Sequence, residues 1–239
     1  MDVFKISNIS ELIGGNPYVG RGIIVGKSAD GGKAVAAYFI MGRSENSRNR
    51  IFVKRDGALY THPFDPAKVS DPSLIIYPAV KKFGSKLIVT NGDQTDTVYH
   101  GFEVGKSFFK SLEERMFEPD APNFTPRISS ALYFADGDFS YDMSILKSMD
   151  AAGTACARYG FSYPSVAGLG HFIHTYVTDG DPLPPFTGEP ERVAIPDDIE
   201  VFANDVWNAL DENNKISLYV VYTNLSDLSV EEKIINKNV

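Results

Sequence analysis

Arg21-Gly22-Ile23-Ile24-Val25-Gly26-Lys27, the turn Ser28-Ala29-Asp30-Gly31-Gly32 and the run Ala34-Val35-Ala36-Ala37-Tyr38-Phe39-Ile40-Met41 are the stretch from which the fold is read. β-Branched and aromatic residues dominate both runs and a glycine turn separates them, which predicts a hairpin. Outward from it, Ile51–Lys54 and Ala58–Tyr60 flank Asp56-Gly57, a second hairpin signal. Leu74–Val80 and Lys86–Thr90 read as two more strands joined through Gly84-Ser85, and Ile128–Phe134 and Phe139–Leu146 as another pair around Asp136-Gly137-Asp138. Val98, Phe102, Phe109, Leu112 and Met116 recur at helical steps, predicting one helix that begins near Asp96 with Thr95 or Asp96 as its cap. Ile199, Phe202, Val206 and Leu210 mark a second helix over Asp197–Leu210, and Lys215–Tyr222 reads as a last buried strand before a polar tail, 225–239. Residues 149–175 stay open in class, and the proline-rich stretch Thr178–Pro190 reads as loop. No linker or repeat divides the chain, so residues 1–239 are expected to form a single α+β domain of mainly antiparallel sheet.

Composition narrows the function. The 239 residues are 43% hydrophobic, enough for a sizeable core. Acidic residues exceed basic ones, 31 to 23, which argues against nucleic acid as partner but allows a small anion in a local basic pocket. Cys156 is the only cysteine, so neither an intramolecular disulfide nor a thiolate zinc site can form; its neighbours offer no activating base, and it reads as packing. The first residues lack a secretory pattern and no apolar run approaches the ~20 residues of a membrane span, so a soluble cytoplasmic protein is expected.

Three polar clusters follow strands or helices. In Gly42-Arg43-Ser44-Glu45-Asn46-Ser47-Arg48-Asn49-Arg50, three guanidiniums close together suit a phosphate or carboxylate, although a solvated loop pairing them with acids would look the same. Asn91-Gly92-Asp93-Gln94-Thr95-Asp96-Thr97 opens the first helix, where free N–H groups suit an anion or an ordinary capping turn. Phe117-Glu118-Pro119-Asp120-Ala121-Pro122-Asn123-Phe124-Thr125-Pro126-Arg127 offers Glu118 and Asp120 as acid/base groups on a proline-stiffened connection; the alternative is a plain polar loop. His171 and His174 lack a carboxylate at helical spacing and read as structural histidines rather than metal ligands. Dinucleotide, Walker and nucleophile-elbow motifs are absent.

In this order the clusters resemble the archaeal-type inosine monophosphate (IMP) cyclohydrolase family. The matching strings are Tyr18-Val19-Gly20-Arg21 with Val25-Gly26-Lys27, Ala37-Tyr38 through Arg43-Ser44 to Asn49-Arg50, Val89-Thr90-Asn91-Gly92-Asp93-Gln94-Thr95-Asp96-Thr97, and Asn123-Phe124-Thr125-Pro126-Arg127-Ile128. The likeness runs from Tyr18 to Leu132. Outside the pattern lie an N-terminal extension, 1–17, an insertion around Arg55–Asp71, and the segment Asp136–Glu191. The resemblance implies an N-terminal nucleophile hydrolase-like fold, a four-layer αββα sandwich. That fold also hosts self-processed amidases, but Tyr18-Val19 offers no Cys, Ser or Thr nucleophile.

The implied reaction closes 5-formamidoimidazole-4-carboxamide ribonucleotide (FAICAR) to IMP with loss of water, in purine biosynthesis, with no metal or cofactor. By the resemblance, the phosphate-binding arginines come from Arg21, Arg48, Arg50 and Arg127, and Ser44, Asn91, Gly92, Thr95, Asp120, Asn123 and Thr125 complete the substrate site. Glu118 is the expected general base, with Asp96 and Asp120 behind it. Arg43, Tyr77 and the Asn91-Gly92 amides are expected to stabilise the departing formyl oxygen. The partner expected is the purine ribotide alone, with no nucleic acid or membrane and with homo-oligomerisation left open. A nucleotide-binding paralogue without turnover and an amidase are the competing readings.

Overall fold

The computed structural model describes residue 2 and residues 4–69 and 76–239. In chain order the strands are β1 (Arg21–Lys27), β2 (Lys33–Met41), β3 (Ile51–Arg55), β4 (Ala58–His62), β5 (Pro78–Phe83), β6 (Lys86–Thr90) and β7 (Arg127–Ala135). They continue as β8 (Asp138–Ser148), β9 (Cys156–Pro164), β10 (Leu169–His174), β11 (Glu191–Ala194), β12 (Lys215–Asn224) and β13 (Val230–Asn236). The helices are α1 (Ile9–Ile13), α2 (Glu45–Arg48), α3 (Gln94–Glu103), α4 (Phe108–Ser111) and α5 (Ile199–Ala209). Two antiparallel sheets result: one of six strands in the order β11-β10-β1-β2-β12-β13, the other a meander of seven from β3 to β9.

The predicted hairpin lies at the centre of the six-stranded sheet, with Ile24 opposite Ala37. Successive side chains on a strand point to opposite faces. Ile23, Val25, Ala36, Tyr38 and Ile40 therefore meet Val89, Ile128 and Tyr141 of the other sheet in the inner core. Ile24, Val35, Ala37 and Phe39 face outward, where Ile9 and Ile13 of α1 and Phe202 and Val206 of α5 cover them. The meander is covered on its own outer face by α3 and α4, through Val98, Phe102, Phe108 and Leu112 against Ile88 and Ala131. Each fully buried apolar side chain of this kind contributes about 1.5–3 kcal/mol.

Several elements differ from the sequence reading. The helix expected from Asp96 to Met116 starts at Gln94 and breaks after Glu103, because Gly105 takes a left-handed φ of 77° and Ser107 starts a new helix by accepting the Lys110 amide. Neither Thr95 nor Asp96 caps α3; Asp93 holds that position and makes no side-chain cap bond. β5 begins at Pro78, while Leu74 and Ile75 of the expected strand lie outside the described residues, as do Ser70 and Asp71 at the end of the expected insertion. The N-terminal extension is built into the domain, with α1 in the outer core and Ser7 bridged to Val193. Residues 149–175 supply β9 and β10. Within the polar tail, Val230–Asn236 form the edge strand β13, whose exposed Glu231 and Glu232 give the stretch its tail-like reading.

Asp198 accepts the Glu200 amide at 2.7 Å and the Val201 amide at 3.0 Å, closing the N-terminus of α5. Asp198→Ala is expected to lower stability by about 1 kcal/mol, read as a shift in the urea midpoint at constant slope.

Candidate active site

At one end of the sandwich, where β1, β3 and β7 begin and β6 ends, Arg21, Arg50, Asn91, Glu118, Asp120 and Thr125 line a cavity of about 100 Å³. Arg21 opens β1, Arg50 directly precedes β3, and Asn91 follows the last residue of β6. Glu118, Asp120 and Thr125 come from the connection between α4 and β7.

Arg21 and Arg50 decide the electrostatics. Among the described residues neither guanidinium has a carboxylate partner, and the Arg50 Nε is buried with no hydrogen-bond partner. Burial, and then the like charge of Arg21, pushes the Arg50 pKa down. Burial also works against the Arg21 proton, but Tyr18, Tyr77, Tyr176 and Tyr38 surround it and the net direction is upward. Two buried cations that repel each other and face a cavity form a site for an anion, since a buried charge needs a partner. The tyrosines add neutral donors: Tyr38 and Tyr77 share a hydroxyl–hydroxyl bond of 2.9 Å, and burial raises the Tyr38 pKa far above the working range.

The acidic side is organised by Arg127. Its Nη1 lies 2.9 Å from Glu118 Oε1 and its Nη2 donates to Glu118 Oε2 at 3.0 Å, a two-pronged grip. The same Nη1 donates to Asp93 at 2.6 Å and to Gln94 Oε1 at 2.7 Å. Desolvation raises the Glu118 pKa against the pull of Arg127, and the negative Asp93 adds to the rise. Gly92 makes room for this meeting: a Cβ there would sit 2.6 Å from Gln94 Oε1, 2.7 Å from Arg127 Nη1 and 3.0 Å from Glu118 Oε1. Asp120 is held by the Thr125 amide at 2.6 Å and the Thr125 hydroxyl, and that hydroxyl also bonds Tyr176 at 2.5 Å.

Other expected site residues stand apart from the cavity. The arginine cluster splits. Arg48 donates to the Gly42 carbonyl and to Asn214, while Arg43 binds Asp179 and the Gly180 carbonyl and lies 5.2 Å from the Tyr18 ring centre. Ser44 caps α2, Asp96 pairs with Lys81 at 2.9 Å, and Thr95 bonds Thr90 beneath α3. Asn123 accepts the Leu183 amide and ties the proline-rich loop to the site connection. The Asn91 and Gly92 amides expected to meet an oxyanion already donate, to the Ile128 carbonyl and to Thr90 Oγ1, each at 3.2 Å.

Sequence reasoning missed Tyr38, Tyr176, Asp93, Gln94 and Arg115. Tyr38 reads as one more apolar strand residue, and Tyr176 follows a segment whose class the sequence leaves open. Asp93 and Gln94 lie inside a recognised motif but carry no local mark of a partner 20 or more residues away. His171 bonds the Tyr141 hydroxyl at 2.6 Å, and His174 bonds the Tyr176 carbonyl at 2.7 Å; three residues apart on one strand, they point to opposite faces. Among the described residues no cluster of three or more His, Cys, Asp or Glu side chains could hold a metal ion. Cys156 is half-buried at the start of β9.

Comparison with known proteins bears directly on this site. The profile of a family described as "IMP cyclohydrolase-like protein" matches residues 18–227. The chain belongs to that family. Every residue lining the cavity falls within the match. The chain is 36% identical over 116 residues to the IMP cyclohydrolase of Methanopyrus kandleri, covering 47% of this chain and 57% of that protein. It is 33% identical over 88 residues to that of Methanothrix thermoacetophila, 37% of this chain and 42% of that protein. Against the Natronomonas pharaonis IMP cyclohydrolase it is 31% identical over 164 residues, 64% of this chain and 78% of that protein. The chain thus spans about half the length of the first two of these relatives. Among the described residues no helix is long and apolar enough to cross a membrane.

Because Arg50 is a buried cation opposed by another, Arg50→Met is expected to raise the stability of the ligand-free protein by about 1 kcal/mol. Excess inorganic phosphate should raise the melting temperature of the unsubstituted protein and leave that of Arg50→Met unmoved, as read by calorimetry.

Proposed function

We propose that this chain is an IMP cyclohydrolase that closes FAICAR to IMP with release of water. The observation that carries the reading is the pairing, in one small cavity, of two guanidiniums that lack acid partners among the described residues with a desolvated carboxyl, Glu118. An anionic ribotide answers both needs. Its phosphate, a dianion, neutralises Arg21 and Arg50, and this places the imidazole substituents towards Glu118.

Closure joins the carboxamide nitrogen to the formyl carbon. Glu118, as carboxylate, takes a proton from that nitrogen as the bond forms. The formyl oxygen becomes a hydroxyl and leaves as water; one hydrogen of the water comes from the carboxamide nitrogen and one from the formamido nitrogen. Tyr77, bonded to Tyr38, is the donor assigned to the formyl oxygen, in place of the occupied backbone amides. A positioned donor of this kind is worth about 2.7–4 kcal/mol at the transition state. Since the reaction is intramolecular, holding the two substituents in contact supplies much of the remainder. In this reading Arg43 fastens the loop at Asp179 and Gly180 beside the site, while Asp120 and Thr125 shape its wall.

The finer fold reading, an N-terminal nucleophile hydrolase-like αββα sandwich, is supported by the helices packed outside each of two facing sheets. An amidase of that fold would need a nucleophile here. The residue that opens β1 is Arg21, and the one hydroxyl among the lining residues, on Thr125, is held between Asp120 and Tyr176.

Purified protein given FAICAR, with chelator and no added cofactor, is expected to show the ultraviolet change of purine-ring closure. Nucleotide-dependent thermal stabilisation without turnover would instead identify a binding paralogue. Because the Glu118 pKa is raised, its carboxyl keeps its proton to higher pH than an ordinary glutamate, so activity should fall as pH drops through that raised value. Glu118→Gln is expected to cost ~10²–10⁴-fold in kcat and to abolish the acidic limb.

A further inference from the structure

Arg115, Asp93, Arg127 and Glu118 form a line of alternating charge that leads to the cavity, with Asp93 exposed, Arg115 half-buried and Arg127 buried. Arg115 Nη2 binds Asp93 Oδ1, the same oxygen that accepts from Arg127 Nη1 at 2.6 Å, and Arg127 grips Glu118 through both terminal nitrogens. Three of the four come from separate elements or connections: Asp93 precedes α3, Arg115 follows α4, and Arg127 opens β7. Asp93 holds the cap position of α3, yet its carboxylate caps nothing. Its bonding is spent on the two arginines.

The two hydrogens on Arg127 Nη1 face three oxygens, from Asp93, Gln94 and Glu118. The charge of Arg127 is therefore divided between two carboxylates, and Arg115 decides how much of it Asp93 requires. We propose that Asp93 and Arg115 are positioning residues for Glu118, acting through Arg127 to set how strongly that guanidinium holds the cavity carboxylate. The inference rests on the reading of Glu118 as the general base. The groups facing Glu118 are Arg127, Asp93, Arg21 and Asp120. Of these, Asp93 is the one whose charge is shared with a second arginine outside the cavity, the half-buried Arg115, since Arg21 and Asp120 face the cavity itself.

The proposal makes two predictions of opposite sign. In Asp93→Asn the whole charge of Arg127 falls to Glu118, so the acidic limb of kcat should move to lower pH by about half a pH unit or more. In Arg115→Met, Asp93 leans harder on Arg127 and a positive charge is lost, so the limb should move to higher pH by a comparable amount. Asp93→Glu, which keeps the charge, should leave the limb within a fraction of that shift. A merely structural role would lower kcat or stability in both variants without moving the limb apart. Limbs that stay together, or that move in the same direction, overturn the proposal. A carbon-13 NMR titration of the Glu118 side-chain carboxyl in ligand-free protein gives the same comparison without turnover. If FAICAR is not cyclised, the function reading fails, while opposite shifts of that resonance still support the coupling and parallel or absent shifts overturn it.

Discussion

A sheet that is apolar on both faces must be covered on both faces, and the arrangement of this protein follows from that constraint. β1 and β2 carry side chains into two separate cores, so a second sheet must lie on one side and helices on the other. Once the sheets stack, the ends of their strands converge. The first residue of β1, the residue before β3, the residue after β6 and the connection leading into β7 then share one small space. The site is a consequence of the stacking. None of its members is near the others in sequence except Glu118, Asp120 and Thr125.

The same space concentrates electrostatic tension of two kinds. On one side, Arg21 and Arg50 are cations removed from water and, among the described residues, without acid partners; on the other, Glu118 is an acid removed from water, with Asp93 as further negative charge nearby. A chain that already carries a formal charge of −8 could have neutralised its arginines cheaply, and most of its exposed lysines are paired with acids. Unrelieved charge at one end of an otherwise well-paired molecule suits a ligand that supplies the missing anion. Unpaired and desolvated charge gathered in one cavity is a pattern typical of functional sites.

Arg127 illustrates how one residue serves both structure and chemistry. The sequence marks it as an arginine at the end of a proline-stiffened connection, a reasonable phosphate ligand. In the folded protein its guanidinium is taken up by Glu118, Asp93 and Gln94. Arg48 is likewise taken up by the Gly42 carbonyl and the Asn214 side chain. Guanidiniums pair with whatever the fold brings near, and that cannot be read from spacing along the chain.

The sequence by itself determined the strands whose apolar runs are long and bounded by turns, the α5 face, the α+β class of mainly antiparallel sheet and the family. It also brought forward Arg21, Arg50, Asn91, Glu118, Asp120 and Thr125, the described residues that line the cavity: all but Arg21 sit in the three polar clusters, and the family resemblance added Arg21. Tertiary structure decided the rest. It broke one long helical pattern at Gly105, turned an apparent tail into β13, and gave class to residues 149–175, since local periodicity there competes with long-range pairing. It separated Arg43, Ser44, Arg48, Thr95 and Asp96 from the cavity and brought Tyr38, Tyr176 and Asp93 towards it. A side chain's partner depends on which strands stack and at what register, and that information lies in contacts between residues tens of positions apart.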